Sequence, residues 1–309
     1  MKGWKNFVIL GTVLALMGSC WGGSTEQNEV QMQVKQFEVP EPPYELSAEE
    51  QGEWLKSHYW DQFDFSDTLS LAQMDTMSLV NAYARYIAVI SDEPHHGAWM
   101  DSLMKRASQS RTMLDYFAWL GEAVLHDPNS PMRNDEFYIP VLKYVLASPY
   151  YNEYERIAPE FDMKVVSQNR IGRKANDVVY TLASGKKGHL YNIEAEYTLL
   201  LISNPACPMC GEVLEALQSS PMLNELVEMG RLKILVLYPD KDLTEWRKHR
   251  AAFPKQWIYA YDDGCKMESE SLYNLSAIPS MYLLDRQKRV LVKDSVDVPY
   301  IEEVIDRRQ

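Results

Sequence analysis

Long hydrophobic runs and basic charge are both scarce in this chain of 309 residues. The apolar run from Phe7 to Met17 is shorter than the about 20 residues that span a membrane, and no other stretch approaches that length. A net charge of -13 argues against binding to nucleic acid or to anionic lipid, since both attract basic proteins. We therefore expect most of the chain to be soluble, with 46% hydrophobic residues available for two ordinary cores.

Cysteine is also rare, with four residues in the whole sequence. Two of them belong to the motif Cys207-Pro208-Met209-Cys210. A zinc site here would need two more Cys or His ligands at suitable spacing, and the candidates are isolated: His189, His249 and Cys265. The remaining histidines with a candidate metal role are scattered as well: His95, His96 and His126. Zinc stays an alternative, but we expect no metal.

The residues around this motif are typical of a redox dithiol. The apolar run Tyr197 to Ile202 predicts a strand before the motif, and Gly211 to Ser219 predicts a helix after it. At the start of that helix, Cys207 faces unpaired N–H groups and the positive end of the helix dipole, both of which favour a thiolate. Cys207 is therefore the predicted nucleophile. Cys210, one turn further along, is the predicted resolving thiol that attacks a mixed disulfide at Cys207.

Two other interpretations of the cysteine pair stay open. A purely structural disulfide would close a loop too short to restrain the unfolded chain, so it would add little stability. A decayed pair on a fold that now only binds other molecules is the second. Under the redox interpretation the dithiol itself carries the electrons, and no separate cofactor is expected.

The amino-terminal segment predicts export. Lys2 and Lys5 precede the apolar run and Gly18-Ser19-Cys20 follows it, which is the order of a signal peptide over residues 1–20. The end of this segment resembles the bacterial lipobox, although Met17 stands where Leu is usual, and the resemblance implies that Cys20 becomes a lipidated N-terminus. An ordinary signal peptide with an incidental cysteine is the alternative. We expect a lipid-anchored protein of the cell envelope that faces the periplasm, with the outer membrane as one candidate location.

If the protein is exported, Cys265 is a cysteine without an assigned partner. If Cys20 carries lipid and the motif cysteines pair, Cys265 is left over, and an odd cysteine in an oxidising compartment suggests a free or exchanging thiol. It follows the predicted strand Trp257 to Tyr261, and catalytic groups collect at the carboxyl ends of parallel strands. We therefore expect Cys265 near the dithiol as a candidate third thiol, with a semi-buried loop cysteine as the alternative.

Composition and periodicity divide the rest of the chain into three parts. Residues 21–45 are polar and proline-bearing, and they predict a flexible linker. Residues 46–166 predict an all-α domain, because apolar residues recur at helical spacing. The predicted helices begin with a capping box at Ser47 and continue with Leu71 to Ile90, Ala98 to Ala107, Arg111 to Leu125, Phe137 to Ala147 and Asn152 to Val166.

Residues 167–309 instead alternate strands with helices, which predicts an α/β domain with a parallel core and right-handed crossovers. The last two strands, Ser280 to Leu284 and Arg289 to Val292, predict a hairpin before a final helix from Val298 to Arg307. The other main predicted elements are strands Val178 to Ala183, Leu199 to Ile202, Leu232 to Tyr238 and Trp257 to Tyr261, and helices Leu243 to Arg250 and Met267 to Leu275.

This second domain resembles the thioredoxin-fold domain of the TlpA/ResA-like thiol-disulfide oxidoreductases, which are tethered to bacterial membranes. The matching features are the Gly-x-x-Ala-x-Asp sequence at 172–177, the Cys-x-x-Cys at a strand end, and the extra helix and strand between Tyr238 and Met267. The resemblance implies an α/β thioredoxin-like fold preceded by an all-α helical domain. It also implies that Ile278 and Pro279 form a cis-proline loop that faces the dithiol and binds the partner peptide, although a simple proline at a strand start is the alternative.

The helical domain is similar, more loosely, to a domain of unknown function that precedes thioredoxin domains in bacterial lipoproteins. The matching segments are His58 to Phe65, Asp127 to Pro131 and Tyr138 to Pro140. The similarity implies nothing about its chemistry.

One position departs from the family pattern. Leu201 stands where related reductases carry a buried acid that accepts the proton of the resolving thiol. Deprotonation of Cys210 then requires water or another carboxylate, for which the candidates are Glu212, Asp262 and Asp263. We therefore expect a slower or more specialised exchanger than a general reductase.

The resemblance implies an enzyme that exchanges disulfides with exported cysteine-containing proteins, as a reductant that an upstream thiol-disulfide partner supplies with electrons. We expect it to contact the membrane through its lipid anchor and not to bind nucleic acid. The alternative is a non-catalytic binding lipoprotein, in which the helical domain carries the binding function and the thioredoxin fold is a scaffold.

Overall fold

The computed structural model describes residues 34–91 and 96–308. Cys20 and His95, which have candidate roles in the sequence, lie outside these residues. Lys35–Gln309 form one compact unit, in which a helical region and a strand-rich region pack against each other. Among the described residues, no helix is both long enough and apolar enough to cross a membrane.

The first region is helical, as the periodicity predicts. Its helices begin where a side chain accepts a hydrogen bond from the backbone of the first turn, as Ser47, Asp75 and Ser110 do. Within the described residues its helices are α1 (Ala48–His58), α2 (Thr68–Leu71), α3 (Thr76–Ile90), α4 (His96–Ala107), α5 (Arg111–Gly121, continued by a π-helical turn Glu122–His126), α6 (Asp135–Ala147) and α7 (Glu153–Val166).

Aromatic side chains form much of the core of this region. The ring of Phe117 lies 5.5 Å from the rings of both Trp60 and Phe63, in the edge-to-face arrangement that aromatic pairs prefer. Phe37 joins the cluster, with its ring 5.1 Å from that of Trp60, and Lys35 forms a β-bridge with Met74. The flexible linker predicted over residues 21–45 therefore does not extend through Phe37, because this apolar residue packs on the helices.

The second region contains a mixed sheet of seven strands in the order β2-β1-β5-β4-β3-β6-β7. The strands are β1 (Val179–Leu182), β2 (Lys187–His189), β3 (Tyr197–Ile202), β4 (Leu232–Tyr238), β5 (Ile258–Tyr261), β6 (Ser280–Leu284) and β7 (Val290–Ser295). β3, β4 and β5 are parallel, and β6 is antiparallel to β3 and to β7. The parallel core and the final hairpin are thus confirmed, and with them the fold class.

Helices cover both faces of this sheet and make two cores. Successive side chains of β3 point to opposite faces, so Leu201 packs in the core beneath helices α8 (Pro208–Ser219) and α12 (Val298–Asp306), whereas Leu200 packs in the other core. The helices of this region are α8 (Pro208–Ser219), α9 (Pro221–Glu228), α10 (Thr244–His249), α11 (Lys266–Ser269) and α12 (Val298–Asp306).

In the helical region, the helix predicted from Leu71 begins only at Thr76, and the short α2 precedes it. Two helices of the second region also differ from the prediction. The helix expected over Met267 to Leu275 is only α11, because Ser271 adopts a left-handed backbone (φ 54°) that ends the helical turn. Tyr273 then points into a core, with its hydroxyl 2.7 Å from the carbonyl of Asn176. Helix α9 is not predicted, although Ser220 caps it and Pro221 occupies its first turn, which are ordinary start signals.

Buried ion pairs join the two regions. At the end of β7, Lys293 Nζ lies 2.7 Å from Asp135 Oδ2, and Asp294 Oδ2 lies 2.7 Å from Arg133 Nη2. The four side chains are at most 11% exposed. Lys293 also donates to the carbonyls of Val166 and Gln168, so β7 is fixed to the end of the helical region. The change from helices to strands falls at Val166, and independent folding of the two regions stays a prediction.

Candidate active site

The loop after β3 positions Cys207 at the start of α8. Asn204 Oδ1 accepts from the N–H of Ala206, and the Asn204 carbonyl accepts from the N–H of Cys207 at 2.9 Å. This tight turn makes Cys207 the residue immediately before the first helical residue, Pro208, whose missing N–H costs nothing there. The Asn204 side chain also donates to Asp240 Oδ2 at 3.1 Å, which ties the turn to the loop after β4.

The two thiols of the motif have different environments. Cys207 is partly exposed, whereas Cys210 is 1% exposed, and neither forms a disulfide. Burial raises the pKa of Cys210 to about 11, although hydrogen bonds from the Asn204 N–H and the Ser203 side chain act in the opposite direction. The protein therefore holds Cys210 as a neutral thiol at ordinary pH, with the more accessible Cys207 beside it.

The loop that contains Ile278 and Pro279 lies next to Cys207. The Ile278–Pro279 peptide bond is cis, and the Cys207 thiol donates to the Ile278 carbonyl at 3.7 Å. Sheet pairing explains this proximity, because Ile202 at the end of β3 is the partner of Ser280 at the start of β6. The structure thus brings together the four residues predicted as catalytic and substrate-binding, while their roles stay predictions.

Cys265 lies on the same edge of the sheet but further from the motif. It follows β5, and β4 separates β5 from β3, so the two strand axes lie about 10 Å apart. Cys265 is 5% exposed, and burial together with the negative charge of Asp262 raises its pKa. Direct exchange between Cys265 and the dithiol stays a prediction.

The carboxylates predicted to accept the proton of Cys210 either contact other groups or are exposed on the surface. Asp262 is buried, which raises its pKa, and its Oδ2 accepts from the N–H of Met267 at the start of α11. Asp263 pairs with Lys187 at 2.9 Å, and Glu212 is exposed on α8. The polar groups that do contact the Cys210 thiol, at Ser203 and Asn204, are absent from the sequence-based prediction. The signal for them is a change from apolar to polar residues directly after β3.

The candidate metal ligands lie in separate places within the described residues. His189 contacts Asp177, and His249 contacts the Glu245 carbonyl. The ring of His126 stacks on that of Tyr138, with centroids 4.7 Å apart. In the part of the chain that the structure describes, no group of three or more His, Cys, Asp or Glu residues is arranged to hold a metal ion.

Comparisons with known proteins agree with this architecture. A family described as a domain of unknown function (DUF5106) matches residues 21–169. A crystal structure of a thioredoxin-like protein from Bacteroides caccae is similar with a TM-score of 0.81 and 37% identity, over 89% of this chain and 100% of that one. No curated protein matches the chain.

Two further solved structures match less than half of this chain. The C-terminal domain of an uncharacterized protein from Bacteroides fragilis is 46% identical, with a TM-score of 0.44 over 45% of this chain and 98% of that one. The thioredoxin domain of a thiol-disulfide oxidoreductase from Bacteroides vulgatus is 16% identical, with a TM-score of 0.36 over 45% of this chain and 97% of that one.

Proposed function

The chain belongs to the thioredoxin-like proteins, and we propose that it is a thiol-disulfide oxidoreductase that exchanges disulfides with exported proteins through Cys207 and Cys210. The observation that carries the proposal is the asymmetry of the pair: an accessible thiol at a helix start stands beside a buried thiol whose pKa is about 11. An attacking thiol has to reach its partner, and a resolving thiol has to wait until a mixed disulfide has formed.

In the reducing direction, the Cys207 thiolate attacks one sulfur of a substrate disulfide. The substrate S–S bond breaks, and the released thiolate takes a proton from solvent. Cys210 then loses its proton and attacks the Cys207 sulfur, which breaks the mixed disulfide and releases the second substrate thiolate. Two electrons pass to the substrate and the protein retains a Cys207–Cys210 disulfide, which an upstream dithiol partner reduces.

The second step is the slow one in this proposal. Burial raises the pKa of Cys210 to about 11 in the reduced pair, so this thiol is almost entirely neutral at pH 7. Leu201 is buried in an apolar core and offers no base, so the proton leaves to water past Ser203 and Asn204, whose hydrogen bonds stabilise the thiolate. This supports the interpretation of a specialised exchanger.

Insulin reduction and disulfide trapping test the proposal together. The wild type should reduce insulin, and Cys207→Ser should abolish the activity. Cys210→Ser should accumulate mixed disulfides with envelope proteins, because the resolving thiol is missing, whereas Cys207→Ser should trap none. Cys265→Ser is assayed beside them, and wild-type behaviour of this variant would exclude the candidate third thiol from the exchange. Trapping by Cys207→Ser instead would reverse the two roles.

The second candidate function is a non-catalytic lipoprotein in which the thioredoxin fold is a scaffold. It is favoured by Leu201 and by the burial of Cys210, which together make resolution difficult. Failure of both cysteine variants to trap a partner, together with absence of insulin reduction by the wild type, would support it. We propose a lipid anchor at Cys20 and an envelope location under either function.

A further inference from the structure

A groove lies between the candidate active site and the helical region. It has a volume of about 640 Å³, and its lining includes Met209 of the motif and the Ile278–Pro279 loop on one side. The helical region contributes the segment 128–136, apart from Met132, which precedes and begins α6. We infer that this groove binds an extended cysteine-containing segment of the substrate with a large apolar side chain beside the cysteine. The inference rests on the proposed function and assigns the helical region a part in substrate selection.

Apolar side chains supply much of the exposed surface of the groove. Met209, Ile171, Val296 and Tyr300 all line it, and between 42% and 55% of each residue is exposed. Single exposed apolar residues are ordinary on a protein surface, but a cluster in one concave site marks a binding surface. A bulky apolar side chain of the substrate would cover these four residues.

The charged residues of the groove are paired except Asp297, an exposed carboxylate that caps α12, so none of them attracts an acidic substrate. Arg133 pairs with Asp294 and Lys293 pairs with Asp135, while Glu136 pairs with an arginine just outside the lining, Arg170. Because the two buried pairs are neutral overall, the groove offers no free cation for an acidic peptide along this wall. A segment without acidic residues fits this environment best.

The wall that the helical region supplies is rigidly connected to the active-site loop. Asp294 accepts from Arg133 on one side and from the Ser280 hydroxyl, at 2.6 Å, on the other. Ser280 directly follows Pro279, whose neighbour Ile278 contacts Cys207. The distance between segment 128–136 and the loop beside Cys207 is therefore fixed by an ion pair and a hydrogen bond.

The size of the groove suits a short segment of the substrate. Sites for small ligands are commonly about 300 to 1,000 Å³, so this volume accommodates a few residues of a polypeptide. We therefore expect exchange with unfolded or flexible cysteine-bearing segments.

Paired peptides test the inference. Two peptides that differ only at the residue beside a cysteine, Leu in one and Ser in the other, are prepared as mixed disulfides with thionitrobenzoate. The reduced full chain should release thionitrobenzoate from the Leu peptide about tenfold faster or more, since differences of this size in an apolar pocket are worth about 10- to 200-fold. Equal rates for the two peptides would overturn the inference.

Variants in the two regions that line the groove show which residues determine the preference for the Leu peptide. Pro131→Glu places a charge on the exposed helical-region wall, and Tyr300→Ser removes an apolar side chain from the opposite side. Both should lower the preference for the Leu peptide at least about fivefold, whereas the matched controls Pro43→Glu and Tyr154→Ser, exposed residues outside the lining, should keep it. An unchanged preference in Pro131→Glu would remove the helical region from substrate selection.

A small disulfide separates this inference from the proposed function. 5,5′-Dithiobis(2-nitrobenzoate) needs only the dithiol, so the wild type and the two control variants, Pro43→Glu and Tyr154→Ser, should reduce it at the same rate. If the wild type does not reduce it, the proposed function fails. If it does but the peptides react equally, only the groove inference fails.

Discussion

Replacement of Lys293 by Met should strongly destabilise the protein, because this lysine joins the two regions. Its ammonium group is 2.7 Å from Asp135 Oδ2, and it donates to the Val166 and Gln168 carbonyls at 2.8 and 2.7 Å. The Lys293 and Asp135 side chains are 7% and 5% exposed. Met has a similar length and is apolar, so the substitution removes the charge and three interactions with little change in volume.

The expected cost follows from the charge that is left behind. Removing one partner of a buried ion pair typically lowers the free energy of unfolding by about 3–5 kcal/mol. For a chain of this size, about 2–4 °C of the melting temperature corresponds to each kcal/mol, so the melting temperature should fall by about 6–20 °C. The substitution leaves the Asp135 carboxylate buried without an ion-pair partner, since no other cation pairs with it among the described residues.

Urea unfolding followed by circular dichroism measures this cost. Lys187→Met is the matched control, because Lys187 forms an exposed pair with Asp263 and should lose little stability. The double variant Lys293→Met/Asp135→Leu should recover most of the lost stability, since it removes the unpaired carboxylate as well. A Lys293→Met protein as stable as Lys187→Met, or a double variant less stable than Lys293→Met, would refute this reasoning.

Three further predictions concern the thiols and the domains. Because burial raises the pKa of Cys210 to about 11, its thiolate fraction increases throughout the alkaline range. The rate of resolution measured by stopped flow should therefore rise about tenfold per pH unit from pH 7 to about 10. A plateau of this rate below pH 9 would contradict the prediction. A fragment that begins at Val165 should fold by circular dichroism and keep its dithiol chemistry, and an unfolded fragment would mean that the two regions need each other. Lipid labelling should mark the wild type and not Cys20→Ala, whereas equal labelling of both would remove the anchor.

Local signals in the sequence predict most of the elements. The capping box at Ser47 and the cap at Asn152 mark real helix starts, and the predicted bounds of β4 and β6 match the structure. These elements are predictable because their caps and apolar runs act over a few residues. Helix α11 is shorter than predicted, since a left-handed residue at 271 overrides an apparently helical pattern.

The contacts between the regions have no such local signal. Arg133 and Asp294 are far apart in the sequence, and so are Asp135 and Lys293, so nothing near either residue identifies its partner. The groove likewise exists only after segment 128–136 is placed beside the Ile278–Pro279 loop. The motif and its neighbouring strand could be predicted, but the second wall of the site depends on tertiary structure.

The redox equilibrium of the cysteine pair tests the central claim most directly. The full chain is equilibrated in dithiothreitol or glutathione buffers of known potential, alkylated, and analysed by mass spectrometry of the Cys207–Cys210 peptide. We predict a single two-electron transition, about 30 mV per tenfold change in the equilibrium constant, with a midpoint between about -270 and -120 mV. A peptide that stays reduced throughout this range, or a disulfide that forms at Cys265 instead, would contradict the account.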